Sequence, residues 1–536
     1  MSAPYTFSTS DGGKTYTRQL YGFEALCLSF ASEANGLFFF NGSASLHLPS
    51  VPAAEKLKDA IEASWIDLRY ASPQIGCTTS FDKPSLAWTY TYDARTSQSA
   101  LTAWANATIK WHDEEKTVLD HYADLADMHW DPATGVPGII LRVLPINKAE
   151  GKWLVCFQSP HTAVDGRGCL FFFDHFLTTL NRVLSSTTAV TSALEWGKET
   201  ARLPAASVVL TGEFDAHAAT PAVAPGPPPP GFVSPFSRTI EQSQLLLTRA
   251  SSPQIPFFPP LVKNPDATSV CVTRKFNLSA QETAKFRAVC KLHGRTVTQA
   301  VDSAFAATMV EAALVSAPGH GEEHAQAVAG IYEQSTHWID ALSFKDQRPH
   351  FPQHSKFYGP EGSAPFATDG YDLAVDMGQL RKAVVLDKST FTVKRDTSKE
   401  AFWDGVVVSY AEATSRQKGD HVSYIARETA KQSQLGAIST GPMIVRAGVS
   451  SSIGHVEALG TLADFTPAVA TAAGKRVIVE ELFTLVRSDI PLIMLLYWQY
   501  DGQLNFMFNT CRAYQTEKDM DTMSDTLKGW LLDLSA

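Results

Sequence analysis

The sequence predicts a mixed α/β protein of two domains, and three observations lead there. Its 536 residues exceed the roughly 250–300 at which a single core stops growing. Strand-like and helix-like segments alternate in both halves of the chain. Between the halves, from Thr211 to Pro260, prolines including Pro221, Pro225, Pro227 to Pro230, Pro256 and Pro259 exclude regular structure and favour extended backbone. The expected division is residues 1–212, a proline-rich crossing strap over 213–262, and residues 263–536.

In the first half, Gly36 to Leu48 alternates and carries aromatics as a strand does. Ala53 to Tyr70 sets Leu57, Ala60, Ile61, Trp65 and Leu68 at helical spacing. Strand-like stretches follow at Ser85 to Tyr92, Gly138 to Leu144 and Lys152 to Gln158, each bounded by polar or Gly/Pro-containing segments. An apolar helix is expected from about Cys169 to Leu180. In the second half, a strand over Thr268 to Phe276 ends at Ser279-Ala280-Gln281-Glu282, which has the spacing of a capping box. Helices are expected over Ala280 to Leu292, stopped by Gly294, and from about Thr298 to Leu314. Strands are expected over Ile438 to Val449, Arg476 to Val486, Leu492 to Tyr500 and Gln503 to Asn509.

Composition narrows the function. With 44% hydrophobic residues, 11 Trp and 30 Phe, the chain has the apolar surface that a packed core requires and a disordered chain lacks. A net charge of -10 without a Lys/Arg cluster disfavours nucleic acid as a partner. The seven cysteines are scattered and form no C-x-x-C pair, against a zinc site or disulfide framework. His337, His350 and His354 lack the acidic and cysteine company of a metal site, so no metal is expected. The N-terminal residues have neither the basic nor the apolar region of a secretion signal. The most apolar run, Ile490 to Trp498, is far shorter than the roughly 20 residues of a membrane span. A cytoplasmic setting and a monomer are expected.

The chemistry concentrates in Ser159-Pro160-His161-Thr162-Ala163-Val164-Asp165-Gly166-Arg167-Gly168, between a strand's end and a helix's start. A histidine exposed there can accept a proton from a substrate hydroxyl or amine, and its ordinary pKa of about 6.5 suits base catalysis near neutrality. Asp165 is better placed to fix the loop through a salt bridge, with Gly166 permitting close backbone approach. Among the fifteen histidines only His161 has Asp four positions on, and it alone adds the following Gly. A packing histidine is the alternative. No Gly-x-Ser-x-Gly elbow with a matching triad order is evident, and no cysteine is flanked as a catalytic thiolate is, so a covalent acyl-enzyme is not expected.

With these residues in view, the chain resembles the CoA-dependent acyltransferase superfamily of chloramphenicol acetyltransferase, plant BAHD enzymes and peptide-synthetase condensation domains. Within it the chain is similar to fungal trichothecene 15-O-acetyltransferase-like enzymes. Supporting segments are Leu57 to Pro73, Leu278 to Ala307, Phe344 to Pro349 (FKDQRP), Ser450 to Gly454 (SSSIG) and Tyr497 to Asn509. The C-terminal Asp-Phe-Gly-Trp-Gly motif of BAHD enzymes is absent, since Asp464-Phe465 continues as Thr466-Pro467; a plant-type assignment is disfavoured. The resemblance implies two chloramphenicol-acetyltransferase-like domains with an active-site channel between them. It also implies an acyl-CoA co-substrate, no bound cofactor, and transfer of an acetyl or other short acyl group to the hydroxyl of a small secondary metabolite. Alternatives are a stand-alone condensation enzyme using an acyl carrier protein's thioester to form an ester or amide, and a repurposed fold that steers a cyclisation.

Further candidates have ordinary readings beside the functional ones. Ser450, Ser451 or Ser452, beside a strand that the resemblance puts along the channel, can supply a hydroxyl to an oxyanion, or simply end a strand. Trp403 and Tyr410 can line an acceptor pocket, although core packing is the commoner role of such residues. Asp346 and Arg348 read equally as a domain-bridging ion pair and as solvated loop residues.

Overall fold

A computed structural model describes residues 5–95, 97–186, 194–211, 271–351, 366–417, 421–433, 435 and 448–536. The crossing strap, His354, and the starts of the strands expected from Thr268 and Ile438 lie outside the described residues.

Strands are numbered in chain order. One sheet runs β1 (Thr15–Gln19), β4 (Ala87–Asp93), β3 (Cys77–Asp82), β6 (Thr134–Pro137). A five-stranded sheet runs β15 (Ile478–Val486), β2 (Phe39–His47), β8 (Lys152–Pro160), β7 (Ile140–Asn147), β5 (Ile109–Trp111). A six-stranded sheet runs β11 (Thr368–Asp376), β10 (His337–Asp346), β14 (Gly448–His455), β16 (Ile493–Tyr500), β17 (Gln503–Cys511), β9 (Cys271–Leu278). A short hairpin pairs β12 (Val384–Asp387) with β13 (Thr392–Arg395).

Two large cores follow from this layering. Helices Ala54–Ala71 and Gly166–Ser185 pack on the five-stranded sheet, around Trp65, Phe157 and Phe173. Helices Ala280–Leu292, Val297–Ser316 and Glu517–Asp533 pack with the six-stranded sheet, around Phe305, Phe508 and Trp530. The two-lobed α/β architecture expected from the sequence is the one observed.

Local signals explain the well-matched elements. Ser279 and Glu282 form the expected capping box at the start of the Ala280–Leu292 helix, and Thr296 and Gln299 form a second at Val297. The segment 297–320 is long and apolar enough to cross a membrane by length and composition, yet 89% of its most apolar window is buried inside the protein. It is buried on all sides from Ala300 to Leu314 because the second lobe packs around it.

Two features were not anticipated. Strand β15, from the C-terminal part of the chain, pairs antiparallel with β2 from Ile478↔His47 to Val486↔Phe40, so the first lobe's sheet is completed by a distant segment. Strand β14 spans Gly448–His455 and contains the three serines, whereas the expected strand ended at Val449. The polar run Ser450 to Ser452 hides the strand because part of it faces a cavity instead of packed core.

Candidate active site

Strand β8 is central in its sheet and is buried from Leu154 to Pro160, so the chain leaves it at a fixed point. His161 begins the loop, and helix Gly166–Ser185 follows after five residues, capped by Asp165, whose carboxylate accepts from Gly168 N at 2.7 Å. Thr162 is tied down by Tyr90, whose hydroxyl donates to Thr162 Oγ1 at 3.0 Å.

The imidazole of His161 lies between Phe40, with ring centroids 5.0 Å apart, and Phe366, at 5.8 Å edge-on. Its Nδ1 is 3.1 Å from Val164 O. A carbonyl can only accept, so Nδ1 carries the proton and Nε2 is the basic nitrogen of the neutral ring. Burial lowers the pKa below the usual histidine value, against the opposing pull of Asp165 and of the Val164 carbonyl. His161 is therefore neutral and basic at pH 7.

Asp165 is 1% exposed and faces four donors. Arg348 Nη2 reaches both carboxylate oxygens, at 2.8 and 2.9 Å, Ala367 N donates at 2.9 Å, and Thr368 Oγ1 donates at 3.1 Å; Gly168 N is the fourth. Burial alone would raise its pKa, but Arg348 and these hydrogen bonds outweigh that and hold it below the ordinary carboxylate value. The salt bridge expected of Asp165 is thus made to Arg348, across the lobes. Beside it Arg167 Nη1 pairs with Asp346 Oδ2 at 2.9 Å, and Arg167 Nε donates to Ile453 O at 3.1 Å. Asp346 and Arg348 are bridging residues, not solvated loop residues. Gly166 is needed for the approach: a Cβ on it would lie 2.5 Å from Ile453 Cδ1.

These residues border a cavity of about 850 Å³ of empty volume, its open mouth included. Both lobes line it. His161, Phe40 and Thr484 come from the motif loop and the five-stranded sheet, whereas Phe344, Ser451, Ser452 and Leu496 come from the six-stranded sheet. The walls are mainly apolar, with Phe23, Phe38 and Met494 added to them, so the space suits a hydrophobic molecule presenting one polar group to His161.

The remaining candidates separate. Ser451 and Ser452 line the cavity. Ser450 does not; it is buried and donates to Asp340 Oδ2 at 3.1 Å. Trp403 and Tyr410 are corrected: neither borders the cavity, and both belong to the second lobe's core. Trp403 stacks on His293 with centroids 4.3 Å apart. Tyr410 OH donates to Asp302 Oδ2 at 2.8 Å, and Tyr497 OH to Asp302 Oδ1 at 2.8 Å. The aromatic signal was real, but what it paid for was packing. Phe40, Phe366 and Arg167 are site residues that the local pattern did not single out, Arg167 being legible only as part of the motif; Arg348 was expected as a possible bridging partner of Asp346, and it pairs with Asp165 as well.

Burial pushes the pKa of Asp302 up to about 6, against the lowering effect of its tyrosine and serine hydrogen bonds. The folded state then holds a proton that the unfolded chain releases near pH 4, so the contribution of Asp302 to stability is fullest below about pH 4 and is lost as pH rises through about 6. Asp302→Asn should flatten that dependence, as measured by urea denaturation at pH 4, 5, 6 and 7; an unchanged slope would refute the assignment.

All seven cysteines are buried, and none is in a disulfide. Among the described residues no group of three His, Cys, Asp or Glu side chains is placed to hold a metal ion.

Comparison with known proteins agrees with this architecture. The sequence model of the family described as 15-O-acetyltransferase Tri3 matches residues 33–222. Trichothecene 15-O-acetyltransferase TRI3 of Fusarium sporotrichioides is 22% identical over 206 residues, a match that spans 36% of this chain and 40% of that relative. The solved structure of TRI3 from the same organism superposes with a TM-score of 0.75 at 16% identity, covering 100% of this chain and 99% of the other. The first condensation domain of the calcium-dependent antibiotic synthetase, in complex with a substrate analogue, superposes with a TM-score of 0.58 at 12% identity, covering 97% of each chain. The fold is the one these proteins share.

Proposed function

Starting from a fold shared with TRI3 and with condensation domains, in the superfamily of CoA-dependent acyltransferases, we propose that this chain transfers an acetyl or other short acyl group from a CoA thioester to a hydroxyl of a hydrophobic secondary metabolite. The observation that carries the reading is His161 at the inter-lobe cavity, with Nδ1 held by the Val164 carbonyl so that Nε2 is the basic nitrogen.

In this reading Nε2 takes the acceptor hydroxyl's proton as its oxygen attacks the thioester carbonyl. Charge develops on the carbonyl oxygen, and a hydroxyl from Ser451 or Ser452, which line the wall contributed by the six-stranded sheet, can donate to it. As the carbon–sulfur bond breaks, the imidazolium returns the proton to the leaving thiolate. No group on the protein becomes acylated. Asp165 takes no part in the proton transfer: its carboxylate is engaged by Arg348 and backbone donors, and it holds the loop. The apolar walls favour a terpenoid- or polyketide-like acceptor over a sugar or nucleotide.

The test is incubation of the full chain with acyl-CoAs of graded length and panels of hydroxylated terpenoids and polyketides, with products read by mass spectrometry. An acceptor mass raised by one acyl group, dependent on the thioester, is the expected result. A second reading, transfer from a carrier-protein thioester, is favoured by the likeness to condensation domains. Product formed only with carrier-bound acyl groups would select it, and no acyl transfer from either donor would leave a repurposed fold.

A further inference from the structure

Beside the main cavity lies a narrow side chamber, with free room for little more than one water-sized sphere, walled by Leu170, Phe173, Leu482 and Phe483 together with Ser43 and Trp498. The two spaces share Gly166, Ile453 and Thr484 as lining residues. The chamber therefore starts at the first residue of the helix that follows His161, beside the position where a thioester carbonyl would be attacked.

Ile453 stands at the boundary, and the backbone holds it there. The pairing of β14 with β16 shifts register between Ser452 and Gly454, which leaves Ile453 at a bulge. Bulges re-aim a side chain and recur next to active sites. Gly454, the next residue, takes φ 104°, a conformation that other residues rarely adopt. The Ile453 carbonyl is fixed by Arg167 Nε. The side chain, only 7% exposed, is thereby laid over Gly166, with Cδ1 2.5 Å from where a Cβ on that glycine would be.

We infer that Ile453 is the acyl-length determinant of this site: it closes the mouth of an apolar side chamber, so that the site takes a short acyl group and excludes a longer one. The assignment rests on the acyl-transfer reading above. The chamber's walls are mainly hydrocarbon, which suits an alkyl chain, and its polar side chains are Ser43, Thr484 and the Trp498 indole. Trimming Ile453 joins the two spaces without touching His161 or the Asp165–Arg348 pair.

The test uses the full chain and non-reactive S-alkyl-CoA thioethers (ethyl, butyl and hexyl), with dissociation constants from calorimetry, so that no acceptor has to be known. Wild-type protein should bind the ethyl compound at least as tightly as the longer ones. Ile453→Ala should bind about fourfold tighter for each added methylene that enters the chamber, and Ile453→Val should lie between. If Ile453→Ala fails to melt cooperatively, Ile453→Val carries the comparison. A length profile in the folded variants identical to wild type would overturn the assignment of Ile453 and leave the acyl-transfer reading standing. Failure of wild-type protein to bind any of the thioethers would instead overturn the CoA-donor reading, and this inference with it.

Discussion

His161→Ala is expected to lower turnover by about 10² to 10⁴-fold, which is roughly 3–5.5 kcal/mol of barrier, the ordinary contribution of a positioned general base. Donor affinity and stability should change little, because the imidazole acts on the acceptor's proton and its main polar anchor is one local carbonyl. The wild-type pH profile adds a second readout. With burial holding the pKa of His161 below the usual histidine value, activity should persist below about pH 6.5 before falling on the acid side as the ring gains its second proton. Single-turnover measurements at saturating donor and acceptor separate the step from binding. Undiminished transfer by the alanine variant would eliminate His161 as the base.

Asp165→Ala should be the most destabilising single change at the site. It takes from the Arg348 guanidinium, 1% exposed, its two-oxygen partner and leaves it Asp346 at 3.2 Å, and it strands the donors at Gly168, Ala367 and Thr368. Removing one partner of a buried ion pair costs about 3–5 kcal/mol when the other charge is left uncompensated, so with Asp346 retained the lower end of that range is expected. The urea midpoint should fall accordingly, and activity should fall with it as the His161 loop loses its anchor. Replacing both partners by apolar residues, Asp165→Leu with Arg348→Met, should recover much of the stability but not the loop geometry. The pair also predicts acid sensitivity. Since the folded Asp165 pKa is held below its unfolded value, its contribution is complete above about pH 4 and is lost as pH falls through the folded value. Wild-type stability in Asp165→Ala would contradict the bracing role.

What the sequence could disclose follows from how local each feature is. His161, Asp165 and Gly166 lie within six residues on a strand-loop-helix passage, so their spacing carries the chemistry directly. Helix Ala280–Leu292 was legible to the residue because its capping box is a contiguous signal. Arg348 was visible as a charged loop residue, but its partner is 183 positions away, and nothing in FKDQRP distinguishes a buried guanidinium from a solvated one. Ile453 gave no signal of this role: it stands in SSSIG, beyond the expected end of the strand at Val449, and only the bulge sets it apart. Trp403 and Tyr410 illustrate the converse: aromatic residues mark enclosed space, and composition does not say whether a ligand or the protein itself fills it.

The exchange of β15 into the first lobe bears on how the chain is made. During synthesis β2 emerges first, and the strand that covers its outer edge, Ile478–Val486, leaves the ribosome only after the whole stretch from His47 to Ile478 has been made. Until then the first sheet has β2 as an open edge, with buried aromatic residues Phe39 and Phe40 at one end of it. An uncovered, apolar edge is a template for pairing with another chain, and multidomain chains in this interval are prone to misassembly. The first lobe is therefore not an independent folding unit in the order of synthesis, and a nascent chain halted before residue 478 would present a sticky intermediate for chaperones to hold.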